Sequence, residues 1–550
     1  MAKRIVEWDD FTGGYYVGPS ATQQPRNTFQ GDNVTVAMDD ASLIPMYQAI
    51  KNSLTGTDCT GGIISNGNLV DISQPAELNN IICFTAKTAT TAYLYVIDSL
   101  AGTVSRNTLS LAGSVANFNC ARPVMLLATN NIPTPGGIVT GDDLDVYIPG
   151  DYRKLIRYQL DAGGSVKAGY PVTYNLNCLT ATGDTNLLGL CVWGARLVGW
   201  SNTSNLYFSD AADFATWAAT NYIVIGYNND RISHVIPRNY DLIIGKPSGW
   251  YVVTGVLNYS AAVRQINNGL GVLYTDGIAE WNNQVAFSTN TGTIGFPVNL
   301  YTVNGARVQP MAFQRFAGNI QTVYMAKGPL GMLQVCYTND DDTDVNGVIW
   351  TLNQQNRWSK TLLSNYTVAA TGDNVRYYPT QAAQSRSATW TTPSLDILEW
   401  NVSKGAIALH SLSIPTFEPG KNANGTPAVA VAKLVDFMSQ VPISVTDVFV
   451  EVEVAQLLYG YNYTGDGLVS AQVNMKYPLG DLALSVGDVS STNLTYTTSI
   501  STIPGTGTRF LGRMYRFKPD NAGHGYGFEI QVTFSGCKVR RIVAMVETHE

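Results

Sequence analysis

The sequence predicts an all-β protein: a β-propeller preceded by an extended N-terminal arm and followed by a C-terminal β-sandwich. Three observations carry that expectation. Strand-length apolar runs alternate with turn clusters from Gly194 to Lys360, the character of the strands changes near Asn374, and the first fifty residues have little periodicity. The predicted boundaries are 1–50 for the arm, 51–373 for the propeller and 374–550 for the sandwich.

The central runs are Arg196-Leu-Val-Gly-Trp200, Asn205-Leu-Tyr-Phe208, Leu242-Ile-Ile-Gly245, Trp250-Tyr-Val-Val253, Gly271-Val-Leu-Tyr274, Thr322-Val-Tyr-Met325, Leu333-Gln-Val-Cys336 and Val348-Ile-Trp-Thr-Leu352. Branched and aromatic side chains suit a pleated surface. Between them, Ser201-Asn-Thr-Ser-Asn205, Lys246-Pro-Ser-Gly249 and Thr275-Asp-Gly277 supply turn chemistry. Each pair of runs reads as an antiparallel hairpin, and radial repetition buries hairpin faces while leaving short edges. No WD or kelch signature accompanies the repeat, and a pair of ordinary β-sandwiches would satisfy the same alternation.

Earlier in the chain, Ile81-Ile-Cys-Phe84, Ala92-Tyr-Leu-Tyr-Val-Ile97, Val124-Met-Leu-Leu127, Asp145-Val-Tyr-Ile148 and Lys154-Leu-Ile-Arg-Tyr158 read as further blade strands. Together they predict five to seven blades. After Asn374 the runs Ala388–Thr392, Val448–Val454, Val469–Met475 and Phe528–Phe534 alternate with period two, which means one buried and one wet face.

Composition limits the function classes. The 550 residues suffice for two or three cores. Only 14% are charged, against roughly 25% in ordinary soluble domains, so Asn, Thr, Ser, Gly and Tyr form the surface. A net charge of −7 without a basic cluster argues against general nucleic-acid binding. Seven scattered cysteines without a CxxC pair predict free thiols rather than a disulfide framework or zinc site. Met1–Trp8 lacks the apolar core of a signal peptide, and no run has the length for a bilayer span.

Local motifs offer few chemical candidates. Asp342-Thr-Asp-Val-Asn-Gly347 has the opening of a calcium loop, with Asp342, Asp344 and Asn346 as alternate oxygen ligands and Asp340 and Asp341 beside them. Asn353 stands where a closing Glu belongs, so a solvated acidic turn is the competing reading. Thr275-Asp276-Gly277-Ile-Ala-Glu280-Trp281 approximates an Asp box with its spacing off by one, a structural turn. The four histidines are scattered, and neither a nucleophile elbow nor a phosphate loop is present, so no enzyme, catalytic residue or cofactor is expected. Carboxylates assembled in three dimensions would be needed for a glycoside hydrolase.

Asp10-Phe11-Thr12-Gly13-Gly14, a polar Pro-containing linker and Asn33-Val34 together resemble the start of propeller-based phage structural proteins. The Arg-rich segment that often follows is replaced by Ala37-Met-Asp-Asp-Ala41. Phe208-Ser-Asp-Ala-Ala-Asp-Phe-Ala-Thr-Trp217 is similar to a turn in the same proteins, where Asp210 and Asp213 would cap and Phe214 and Trp217 would pack beneath. The family is the tail nozzle and packaged-DNA stabilisation proteins of short-tailed bacteriophages. The resemblance implies a virion tail component made in the host cytoplasm. It would form a homo-oligomeric ring of six against adaptor proteins and touch genomic DNA only in transit, with no membrane insertion. An acidic, poorly basic wall would not grip sliding phosphates. A receptor-binding or baseplate protein whose C-terminal domain contacts host glycan is the alternative, and a polysaccharide hydrolase the third.

Overall fold

The computed structural model describes residues 2–549 except the segments 16–23, 129–141, 290–298, 309–319, 340–347, 364–374, 381–393, 414–427, 455–466, 477–488 and 497–510, and gaps of one to four residues elsewhere. The described chain is all-β, with one short α-helix at Asn177–Thr182.

Seven sheet units follow one another in sequence, antiparallel except for the parallel pairing of Thr103–Thr108 with Thr55–Gly56, and the sixth is one arm of a larger sheet. Their first strands are Ala76–Leu78 with Asp71–Ile72, then Val124–Leu127, Gly189–Trp193, His234–Pro237, Ile278–Trp281, Ile320–Lys327 and Val375–Pro379. Each sheet proceeds from its first strand through hairpins, as in Asp241–Lys246, Gly249–Thr254 and Ala262–Asn268 of the fourth. The seventh is completed from far away. Ile63–Ser65 pairs with the strand Ala406–Ser413, setting Ile64 against Ile407 and Ser65 against Ala406.

Most predicted runs are strands: Arg196–Trp200, Asn205–Phe208 and Val348–Leu352 at their expected limits, others within longer strands. Gly271 and Val272 are not in a strand, although Val272 is buried, and positions 273–276 lie outside the described residues, as do 388–392. The pairing also departs from the expected boundary near 374. Val375–Pro379, Ser394–Asn401 and Ala406–Ser413 belong with Ile63–Ser65, because backbone donors find partners across the chain that local periodicity does not reveal.

Buried clusters join each sheet to the next. Ile81, Val96, Val146 and Ile156 link the first and second; Tyr147, Leu155, Leu197 and Trp217 link the second and third. One cluster includes Ile82 and Tyr95 of the first sheet, Tyr324 and Ile349 of the sixth and Tyr377 and Leu409 of the seventh. Polar ties run alongside. Tyr158 Oη donates to Thr108 O at 3.1 Å, Trp193 Nε1 to Arg238 O at 2.9 Å and Asn267 Nδ2 to Val303 O at 3.3 Å. Lys327 Nζ meets Glu280 at 3.3 Å, Tyr324 and Tyr378 hydroxyls are 3.3 Å apart, and Thr380 Oγ1 donates to Glu77 Oε2 at 2.7 Å.

The terminal strands form one further sheet and the far half of the sixth sheet, around one core. Thr28–Asp32, Val429–Asp436, Gly527–Ser535 and Gly467–Lys476 lie in one. Lys3–Trp8, Lys538–Thr548, Ile443–Val454 and Leu511–Phe517 lie in the other, joined by Val34–Val36 and Leu43–Pro45. Ala432, Val473 and Ile530 from the first share a buried cluster with Val6, Val450 and Ile542 from the second. The N-terminal segment therefore ties onto strands of its own chain. Gly31, with φ +147°, permits the close approach there: a Cβ would meet Val431 O at 1.8 Å.

Inside the second sheet Arg157 is fully buried against Asp145, with Nε to Oδ1 and Nη2 to Oδ2 both at 3.0 Å. Tyr147 and Tyr170 rings lie 5.9 and 5.6 Å from its guanidinium carbon. A charge so buried is tolerated only while its two-point partner remains. Asp145→Asn is expected to lower unfolding stability by about 3–5 kcal/mol in a denaturant titration. A loss within experimental scatter of the parent would contradict the buried pair.

Candidate functional site

Two regions concentrate the features that could carry function, a seam and a cavity. The seam is made by the motif residues of the N-terminal segment. Asp10 Oδ1 accepts the Thr12 N–H at 2.8 Å and its Oδ2 the Thr12 hydroxyl at 2.9 Å, turning the chain so that Phe11 enters the terminal core fully buried. Gly13 N–H donates to Asn27 O, and a Cβ on Gly13 would meet Thr28 Cγ2 at 2.5 Å. Asn33 then crosses to the sixth sheet. Its N–H donates to Lys360 O at 3.0 Å and its Oδ1 accepts Leu362 N–H at 2.9 Å, with φ 56° in the region Asn tolerates. Tyr15 packs edge-on to both Phe29, at 5.9 Å, and Trp350 of the sixth sheet, at 5.0 Å.

The backbone consequence is continuity. Val34 pairs with Lys360 and with Pro45, and Leu43 pairs with Val539, so one hydrogen-bonded sheet runs from Ile320–Lys327 to Leu511–Phe517.

The cavity, about 730 Å³, is lined by the first strands of all seven sheets. Its wall mixes apolar side chains such as Ile72, Leu190, Val235 and Ala279 with charged ones, Asp71, Glu77, Arg122, Glu280, Lys327 and Arg376. Burial pushes the Asp71 carboxyl up, opposed by Lys87 at 3.9 Å, by the Cys120 thiol and by Arg376. Arg376 lies over the Trp400 ring at 5.3 Å. His234 is tilted against Trp200 at 5.6 Å, so this histidine has an aromatic packing role.

Beside the cavity, Asp184 organises a turn. Its Oδ2 accepts hydrogen bonds from Ser201 Oγ at 2.9 Å, Thr203 Oγ1 at 3.0 Å, Asn205 Nδ2 at 3.3 Å and the Tyr207 hydroxyl. Burial works against the ionised carboxylate, but these donors outweigh it and hold the group below the usual range. Sequence reasoning found the Ser201–Asn205 turn without its acceptor; the density of side-chain donors in that turn was the available signal.

The proposed calcium ligands Asp342, Asp344 and Asn346, with Asp340 and Asp341, lie outside the described residues. Asn353 is described and serves as a turn acceptor, its Oδ1 taking the N–H groups of Gln355 and Arg357, both at 2.9 Å. In the other motif Asp213 Oδ1 accepts Ala215 N–H at 3.0 Å and Asp210 Oδ1 accepts Asn221 Nδ2 at 2.7 Å. Trp217 is buried and donates to Phe214 O at 3.1 Å, while Phe214 meets Tyr147 edge-on at 5.6 Å. The expected capping and packing are present there, and the motif is structural. All seven cysteines are free, and burial raises the Cys83, Cys191 and Cys336 thiols, which keeps them unreactive.

No family model matches the chain, and no curated protein matches its sequence. Solved structures similar to it include a chain of the mitotic checkpoint complex, with TM-score 0.36, 10% identity and coverage of 68% of this chain and 96% of that one. YCF48 bound to a D1 peptide is similar at TM-score 0.36 and 10% identity, over 70% of this chain and 99% of that one. The WD40 β-propeller domain of Doa1 is similar at TM-score 0.36 and 9% identity, over 66% and 97%.

Two outcomes are expected from these contacts. Phe11→Ala should cost about 3–5 kcal/mol, because the vacated volume lies inside the terminal core; thermal unfolding at unchanged melting temperature would contradict that role. Asp184 has a folded pKa below its unfolded value, so its stabilisation is complete above the unfolded carboxylate pKa and is lost as pH falls through the folded one. Asp184→Asn should therefore flatten the acid limb of a stability-against-pH curve, and an acid limb of unchanged slope would contradict the account.

Proposed function

We propose that the seven sheets close as a seven-bladed β-propeller, that the terminal sheets pack as a β-sandwich welded to it, and that the whole is a tail structural protein of a short-tailed phage. In this reading Ile63–Ser65 is the closing strand of the last blade, and sheet-to-sheet clusters from the first to the seventh support closure. The protein's work is mechanical. It forms a ring, and the genome leaves through the ring's bore.

The observation that carries the proposal is the seam. Of the residues that resemble the phage pattern, Asn33–Val34 build the continuous sheet between the sixth blade and the terminal strands, while Asp10–Gly14 turn the chain so that Phe11 enters the terminal core. A hydrogen-bonded sheet crossing between two bodies resists bending at their junction, because hinging would break the Val34–Lys360 pair, the Asn33 N–H bond to Lys360 O and the Leu362 N–H bond to Asn33 Oδ1 together. A part held between capsid and outlet must transmit load without hinging, which suits this construction. The weakly charged, net-acidic chain also suits a wall past which DNA slides.

Electron microscopy of the virion or the purified chain, with symmetry determined rather than imposed, tests the reading. The expected result is a ring of six around a duplex-wide bore with a neutral to acidic inner surface. A monomer, a peripheral trimer that titrates with host polysaccharide, or a basic bore would overturn it.

A further inference from the structure

The chain has four histidines. Two of them have separate places inside the sheets: His410 is fully buried with Glu399, Nε2 and Oε2 being 2.7 Å apart, and His234 packs against Trp200. The other two meet each other. The rings of His524 and His549 lie 4.1 Å apart between centroids, at an interplanar angle of 64°.

One tripeptide fixes both backbones. Gly525 N–H donates to Ile443 O at 2.9 Å and Ile443 N–H to Gly525 O at 2.7 Å, which sets His524 beside the start of the strand Ile443–Val454. His549 N–H donates to Pro442 O at 2.8 Å, and its ring Nε2 shares a hydrogen bond with Ser444 Oγ, also at 2.8 Å. Pro442, Ile443 and Ser444 therefore gather the two imidazoles at one place on the surface, where His524 is exposed and His549 partly so. Any two aromatic rings could satisfy the packing; what imidazole adds is a lone pair on a ring nitrogen, and two of them at one point are a chelate.

Ligand chemistry selects the ion. Hard cations such as Ca2+ and Mg2+ take oxygen ligands, whereas imidazole suits the later first-row divalent ions Ni2+, Cu2+ and Zn2+. No group of three or more His, Cys, Asp and Glu side chains is gathered for a metal among the described residues, so the pair does not belong to the closed four-ligand set of a structural zinc site. It suits an ion that takes two imidazoles and keeps water in its remaining positions. A ligating imidazole also uses a partner on its other ring nitrogen, which fixes its tautomer and orientation. Ser444 supplies that partner at Nε2 of His549 and leaves Nδ1 to face the ion. With metal–nitrogen bonds of ~2.1 Å, two imidazole centroids on one ion stand about 5 Å apart, so the rings need only swing open by about 1 Å.

We propose that His524 and His549 chelate one divalent transition-metal ion of this class, with Ser444 as the positioning residue for His549. The ion would join the segment leading into Gly527–Ser535 to the end of Lys538–Thr548, and so tie the terminal sheet to the strands that continue the sixth. Such a site depends on neither closure of the seven sheets nor the ring of six.

Isothermal titration of the full chain with nickel chloride tests it. One ion per chain should bind saturably, and nickel should raise the melting temperature of the parent chain. His524→Ala and His549→Ala should each abolish both effects, and either variant serves should the other fail to fold. Ser444→Ala should weaken binding about tenfold at an unchanged metal-free melting temperature, as when a ligating imidazole loses its outer partner. Two rings that only pack would bind no nickel. A parent chain that binds none, or a chain that binds it as tightly after either histidine is replaced, would overturn the proposal, and undiminished affinity in Ser444→Ala would overturn the positioning role.

Discussion

The pairing of Ile63–Ser65 with Ala406–Ser413 is the constraint on which the rest depends. It brings Ile64 against Ile407 from opposite ends of the seven-sheet array, and both side chains are fully buried. Closing so long a loop costs entropy, but that cost grows only logarithmically with length. The return is a first and a seventh sheet that cover each other, so that Ile82, Tyr95, Tyr377 and Leu409 join one cluster. Without that contact each of the two sheets would present a large apolar face to water, where burial of each such side chain is worth ~1.5–3 kcal/mol.

The second constraint follows from the first. Chain segments on either side of the closing strand must leave the array, and they leave toward the same place. Residues before it build Lys3–Trp8, Thr28–Asp32 and Val34–Val36, and residues after it build Val429–Asp436 and the strands that follow. The two termini therefore meet: Lys3–Trp8 pairs along Lys538–Thr548, with Lys3 opposite Glu547 and Trp8 opposite Ile542. Asn33 and Val34 then bind this terminal body to the sixth sheet through Lys360 and Leu362. The contacts at the seam thus follow from where the chain leaves the array, and the mechanical role proposed for the protein draws on them.

What was legible in the sequence was local. Hairpins such as Asp241–Lys246 with Gly249–Thr254 announce themselves by branched and aromatic residues on either side of Pro-Ser-Gly, because strand pairing within a hairpin involves neighbours. The Asp210–Trp217 turn was legible for the same reason. Long-range pairing was not. The boundary expected near 374 fell where residues 375–413 are committed to Ile63–Ser65, and nothing in their alternation names a partner so distant. Asp184 went unnoticed because one carboxylate in a loop looks like any other until four donors are seen to converge on it.

Closure is the claim on which the proposed function stands, and one cross-link tests it most directly. Ser65 and Ala406 are directly paired across the closing ladder. With cysteine at both positions, mild oxidation of the native chain should join the tryptic peptides carrying residues 65 and 406, as read by mass spectrometry without reduction. The account requires that link in the folded protein and its absence after oxidation in denaturant. A native chain that oxidises without joining those two peptides would contradict closure, and the propeller with it.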